Sequence, residues 1–225
     1  MKLTEEKPLV AKKLLTLSKS SCFGKCAVYK ISLFQDGLLI LDGKANIDKL
    51  GVYHSSLNAV ELSKLSNKAN QLNWTSYKHS YMKNIADLPV STLIYKNPKD
   101  STEVKIESNS SLPDELETIH TELSNLLQTQ TWILAIKDNQ LKSKDIITNE
   151  LQIDMDTIQN YMNLEKMFAH YNLKSIKRIS EYMNFYLFTF DDTKIAPTEM
   201  VVLLRRVKGV RLVNFNKKLS PREEN

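Results

Sequence analysis

Residues 27–42 read AVYKISLFQDGLLILD, and this stretch constrains the fold more than any other. Tyr29, Ile31 and Leu33 alternate with Lys30 and Ser32, the two-residue period of a strand with one buried face. A second apolar run, LLILDG, follows directly after Asp36-Gly37. Asp-Gly between two such runs predicts a tight hairpin, because both residues tolerate positive φ. An exposed hairpin is marginal alone, so the rest of the chain must cover it.

The surrounding pattern supplies that cover. Residues 13–19 (KLLTLSK) read as a further strand. A helix is expected over residues 57–72, where Leu62, Leu65, Ala69 and Leu72 recur at helical spacing. A second hairpin, VSTLIYK then STEVKIE, turns at Asn97-Pro98-Lys99-Asp100. A helix over residues 113–130 carries Leu116, Ile119, Leu123, Leu126 and Leu127, with Ser111 and Asp114 as a capping-box-like start and Pro113 in its first turn. The expected order is β-ββ-α-ββ-α, an antiparallel sheet with both helices on one face.

Residues 135–145 (AIKDNQLKSKD) are polar enough to read as a linker, after which a new pattern begins. Ile147, Leu151 and Ile153 alternate, and Asp156 is placed to cap a helix carrying Tyr161, Leu164, Phe168 and Tyr171. Strands at 173–180 and 184–191 follow. A helix at 197–207 opens at Pro197, carries Met200, Leu203, Leu204 and Val207, and stops at Gly209 before a strand from Val210 to Phe215. This β-α-ββ-α-β order is the ferredoxin-like arrangement. The expectation is an α+β protein of two domains, residues 1–135 and 140–225.

The chain has 225 residues and a net charge of +5. The excess is spread over both halves. Lys174, Lys177 and Arg178, and Arg205, Arg206, Lys208 and Arg211, sit where solvated faces are expected, so a nucleic-acid partner is not expected. No stretch approaches the ~20 apolar residues of a membrane span. The first residues, MKLTEEKPLVAKK, have no apolar core and do not read as a signal peptide. The chain is therefore cytoplasmic, or Met1 begins a processed chain.

Catalytic fingerprints are missing: no G-x-S-x-G, H-E-x-x-H, P-loop or dinucleotide motif occurs. No cofactor or metal is expected. The two cysteines, Cys22 and Cys26, leave three readings open: a disulfide closing a tight loop, two packed thiols, or half of a zinc site. The histidines His54, His79, His120 and His170 form no paired metal-ligand spacing.

The run Cys22-Phe23-Gly24-Lys25-Cys26-Ala27-Val28-Tyr29, followed by Asp36-Gly37, Gly43 and Gly51-Val52-Tyr53, resembles an uncharacterised bacterial domain family. That family is marked by C-F-G-x-C-P-x-Y, a D-G turn and G-x-Y. Asp87-Leu88-Pro89 fits its later D-x-P element. The resemblance covers residues 13–130, with Ala27 standing where the family usually has Pro. It implies an exported or lipid-anchored protein and supplies no reaction.

Residues 184–218 are similar, more weakly, to the last strand, helix and strand of subtilisin-type propeptides and related inhibitors. The closing element reads Gly209-Val210-Arg211-Leu212-Val213-Asn214-Phe215-Asn216. That likeness implies a subtilisin-type protease as partner, with the tail through Lys217, Lys218 and Leu219 toward its cleft. In Phe185-Tyr186-Leu187-Phe188-Thr189-Phe190 both alternating faces are apolar, and helices can cover only one of them. Tyr186, Phe188, Phe190 and Phe215, or the opposite row of the strand, are therefore the expected partner surface, or a seam against the first domain. The expected function is non-catalytic binding; the alternative is a small hydrolase or thiol-redox protein using the loop from Cys22 to Cys26.

Overall fold

A computed structural model describes residues 12–85 and 87–218. The readings made above on the first residues and on Leu219 lie outside the described residues. Within them the chain forms two compact units that divide between Gln140 and Leu141.

In the first unit the order is β1 (Lys13–Lys19), β2 (Val28–Phe34), β3 (Leu38–Ala45), β4 (Gly51–Ser56), α1 (Ala59–Gln71), a 3₁₀ turn (Trp74–Ser76), β5 (Ser80–Tyr81), β6 (Ser91–Lys96), β7 (Glu103–Ser108), α2 (Asp114–Thr129), β8 (Ile133–Lys137) and the helical turn α3 (Asp138–Leu141). Its sheet runs β5-β7-β6-β1-β2-β3-β4-β8, antiparallel except where β5 meets β7. The two hairpins expected from sequence are β2–β3 and β6–β7, and β1 joins them by pairing with both β2 and β6.

The register explains which face is packed. Leu17 stands opposite Ile31 and Leu93, and Leu15 opposite Leu33 and Tyr95, so the same face of side chains runs across three strands. Leu65 and Ala69 of α1 and Leu116, Ile119 and Leu123 of α2 share a core with that row. Asn58 opens α1: its side chain accepts from the N–H of Val60 and Glu61, while the Glu61 carboxylate returns to the Asn58 N–H. On α2 the structure differs from expectation. Pro113 is the N-cap residue and no side chain caps that end, so Ser111 and Asp114 do not form a capping box.

Three strands were not expected: β4, β5 and β8. In β8, residues expected to begin a linker instead pair with β4, Ile136 opposite Val52. An edge strand needs pairing on one side only, so its sequence carries a weak signal. The central strands also depart from half-burial. Ser32 is fully buried and its hydroxyl meets that of Thr16, while Ile40 and Val52 on the same face are buried as well.

The second unit comprises β9 (Ile146–Met155), α4 (Tyr161–Met167), a 3₁₀ turn (Ala169–Tyr171), β10 (Lys174–Arg178), β11 (Phe185–Thr189), α5 (Pro197–Arg205) and β12 (Val210–Lys217). Its sheet runs β10-β11-β9-β12, wholly antiparallel, the ferredoxin-like order. The cap of α4 is Asn160, which accepts from the N–H of Asn163; Asp156 instead accepts from Ile158 in the preceding turn.

Candidate functional site

Most of the glycine and turn positions singled out in the first unit hold backbone. Gly37 takes φ +86° in the β2–β3 turn, where the Asp36 carboxylate accepts from the Leu38 N–H at 3.1 Å. Gly43 and Gly51 face each other across β3 and β4. A Cβ on Gly43 would lie 1.9 Å from the Lys49 carbonyl oxygen, and one on Gly51 2.5 Å from that of Ile136. Tyr53 packs against the helix-side core, and Tyr29 is buried in it, with burial pushing its phenol pKa up.

The remaining motif residues gather at one end of the sheet. The sulfurs of Cys22 and Cys26 stand at disulfide distance, with Cα atoms 5.7 Å apart. They close a loop around Phe23, Gly24 and Lys25, and Gly24 adopts φ +135°, a conformation that favours glycine. Sixty-odd residues later in the chain, Asp87 takes φ +64° and its carbonyl accepts from the Phe23 N–H at 3.2 Å. Beyond Pro89 the clasp continues, because the N–H of Ser20 donates to the Val90 carbonyl and the Val90 N–H to the Ser20 hydroxyl. The β3–β4 turn joins through Asn46, whose side-chain amide donates to the Cys26 carbonyl. Despite these ties, the side chain of Phe23 is 90% exposed, and Ile85 and Leu88 are exposed beside it.

Just inside this end lies a cluster that the sequence reading missed. Ser91 opens β6 opposite Lys19, and its hydroxyl is 3.2 Å from Nε2 of His120 on α2. Nδ1 of His120 is buried without a hydrogen bond, and a Glu117 carboxylate oxygen lies 3.7 Å from it. Burial, and then Lys19, hold the His120 pKa below its ordinary 6.5, while Glu117 pulls the other way. Neutral imidazole is thus favoured. Glu117 and His120 share a helix face through their spacing, which is legible in sequence; Ser91 comes to them only through the packing of α2 on the sheet.

A cleft of about 320 Å³ lies elsewhere in the unit, lined in part by Trp74, Tyr95, Asn70, Asn97 and Asp100. Its aromatic rings stack on each other, and the Tyr95 hydroxyl donates to Asn70 while the Asn97 amide donates to Asp100. These groups are occupied by one another.

The aromatic row of the second unit is placed differently from expectation. Tyr186 stacks on Tyr161 of α4, with ring centres 5.1 Å apart, and Phe188 is fully buried. Phe188 stands opposite Leu151 on β9, which in turn stands opposite Phe215 on β12. Tyr186, Phe188, Phe190 and Phe215 therefore do not form the helix-free surface expected of them: Phe190 is buried too, and Phe215 is half-buried in the same row. The opposite face carries Gln152, Asp154 and Asn214 around Leu187, and there the Gln152 amide donates to Asn216. Asn216 and Lys217 belong to β12 and are paired with β9.

Among the described residues no group of three or more His, Cys, Asp and Glu side chains is placed to hold a metal ion, and no helix is long and apolar enough to cross a membrane. Comparison with curated proteins finds no match. Residues 13–127, which carry the clasped loops, both hairpins and most of α2, match the family described as a domain of unknown function, DUF6438, and the chain belongs to that family.

Proposed function

We propose that this protein is a non-catalytic binding module, acting outside the cytoplasm, whose first unit presents the closed Cys22–Cys26 loop to a partner. One observation carries this reading: Phe23 is held by backbone to Asp87 and yet 90% exposed. Large aromatic side chains contribute through burial, and fixing the backbone beforehand lowers the entropy lost on binding. A photoreactive residue placed at position 23, in cells producing the full chain, tests it. A discrete adduct is expected there and not from the same probe at Val60, an exposed apolar position on α1. Equal labelling at the two positions removes the reading.

A second reading, a small hydrolase, is favoured by the Ser91–His120–Glu117 cluster. The neutral imidazole is placed to take the Ser91 proton through Nε2, with Glu117 near Nδ1 to stabilise the resulting charge. A fluorophosphonate probe should then label Ser91 and fail to label a His120→Gln variant; an unlabelled wild type excludes it. Inhibition of a subtilisin-type protease, implied by the weaker likeness, would have to use the opposite row of this strand, because Tyr186 stacks on Tyr161 of α4 and Phe188 is buried.

A further inference from the structure

The cleft of about 320 Å³ in the first unit lies at the end of β6 away from the closed loop. Ser91 begins β6 at the closed-loop end, and Asn97 follows its last residue at the other. There the β6–β7 turn, residues 97–102, and the segment that leaves α1, residues 70–75, together line the cleft. Trp74, Tyr95 and Val104 are the buried part of the lining. They are firmly held. The rings of Trp74 and Tyr95 stack with centres 4.6 Å apart, Nε1 of Trp74 donates to the Ala69 carbonyl at 2.7 Å, and Tyr95 stands opposite Val104.

The bonds among the polar groups of the cleft occupy one edge of each and leave the other. The Tyr95 hydroxyl donates to the Asn70 carboxamide oxygen, and the Thr75 hydroxyl to that of Asn73, each at 2.9 Å. Both carboxamides are thereby oriented, and among the described residues nothing accepts from either NH₂ group. Acceptors come from Asp100. Its carboxylate takes the Asn97 amide and both the N–H and the hydroxyl of Thr102, and the Thr102 bonds hold its pKa below the ordinary carboxylate value. Ionised, it has lone pairs for further donors.

We propose that this cleft binds an uncharged mono- or disaccharide. It is separate from the loop at Phe23 and owes nothing to the partner proposed there. Its volume is at the small end of the range for small-molecule sites. An anion does not suit it. Lys99 and Asp100 are the charged residues of the lining and offset each other, while beside them Lys96 stands opposite Glu103 and Lys68 pairs with Glu122. A wholly apolar molecule does not suit it either, since it would strip water from free amide donors and a carboxylate without replacing the bonds. The fitting ligand has an apolar face and neighbouring groups that both donate and accept. Sugar hydroxyls accept from the Asn70 and Asn73 amides and donate to Asp100, while the C–H face of a pyranose ring suits an aromatic and aliphatic lining.

The test uses the full chain labelled with nitrogen-15, titrated separately with glucose, galactose, mannose, N-acetylglucosamine, maltose and cellobiose. With at least one of these sugars the side-chain amide signals of Asn70 and Asn73 should move saturably, together with the indole N–H of Trp74. Asn70→Ala and Asn73→Ala each remove an exposed donor group and should weaken that binding by about tenfold, read from the Trp74 signal. Urea unfolding of both variants checks that they fold. Binding should be the same at about 0.05 and about 0.5 M salt, because an uncharged ligand is not screened. Inorganic phosphate should leave the same amides unmoved. If none of the sugars moves these signals, or if folded alanine variants bind as the wild type does, the proposal is overturned. Phosphate moving the amides, with loss of the effect at high salt, overturns it too and marks an anion site instead.

Discussion

The backbone N–H of Phe23 donates to the carbonyl oxygen of Asp87 and joins two loops that are far apart in the chain. The closed Cys22–Cys26 loop limits how far Phe23 can stray from that acceptor. Replacing both cysteines with serine should therefore cost little global stability, about 2 kcal/mol or less for so short a closure. Urea unfolding of oxidised and doubly substituted chains measures that cost. Hydrogen exchange at the Phe23 amide should accelerate far more than exchange in β2. Unchanged protection at Phe23 would show that the clasp does not depend on the bond.

Gly43→Ala and Gly51→Ala should each destabilise by about 3 kcal/mol or more, because the new methyl meets backbone that cannot turn aside, that of Lys49 in the β3–β4 turn and that of Ile136 in β8. Gly24→Ala should cost only about 1–2 kcal/mol, for its positive φ, since nothing lies within 4 Å of the added atom. Chemical denaturation of the three variants ranks them. A Gly24 variant as unstable as the other two would contradict the division between backbone-holding and loop-end motif residues.

His120 gives stability a pH dependence of definite sign. Its folded pKa lies below 6.5, so the unfolded chain takes up the proton first as pH falls. Its contribution is fully present above about 6.5 and is lost as pH falls through that value toward the depressed folded pKa. Lys19, Glu117 and Ser91 face the ring and set this balance. Against a His120→Gln variant, the wild type should lose stability between pH 7 and about 5. A constant difference across that range would mean that the ring protonates freely when folded.

Phe188→Ala should cost about 3–5 kcal/mol, the penalty for emptying a buried aromatic site. Phe188→Asp should unfold the second unit and not merely abolish contact with a partner. Thermal unfolding followed by near-ultraviolet circular dichroism tests both. By contrast, Arg211→Ala breaks only an exposed pair with Asp154 and should cost less than about 1 kcal/mol.

Local chemistry in the sequence determined the β2–β3 hairpin, the α1 and α2 stripes, Pro197 opening α5 and the β-α-ββ-α-β order, because apolar period and turn residues act over a few positions. Cys22 and Cys26 were legible as a pair for the same reason. Tertiary structure alone decided what pairing register and packing control. Register put Tyr186 against Tyr161 of α4 and buried Phe188 in the same row, which a strand apolar at both parities cannot reveal. It also gave Ile136 a partner in Val52, turning an expected linker into an edge strand. The candidate site shows the same division: Glu117 and His120 are three residues apart on one helix, while Ser91 reaches His120 only because α2 packs on the sheet, and Asp87 reaches Phe23 only because strands distant in sequence end side by side.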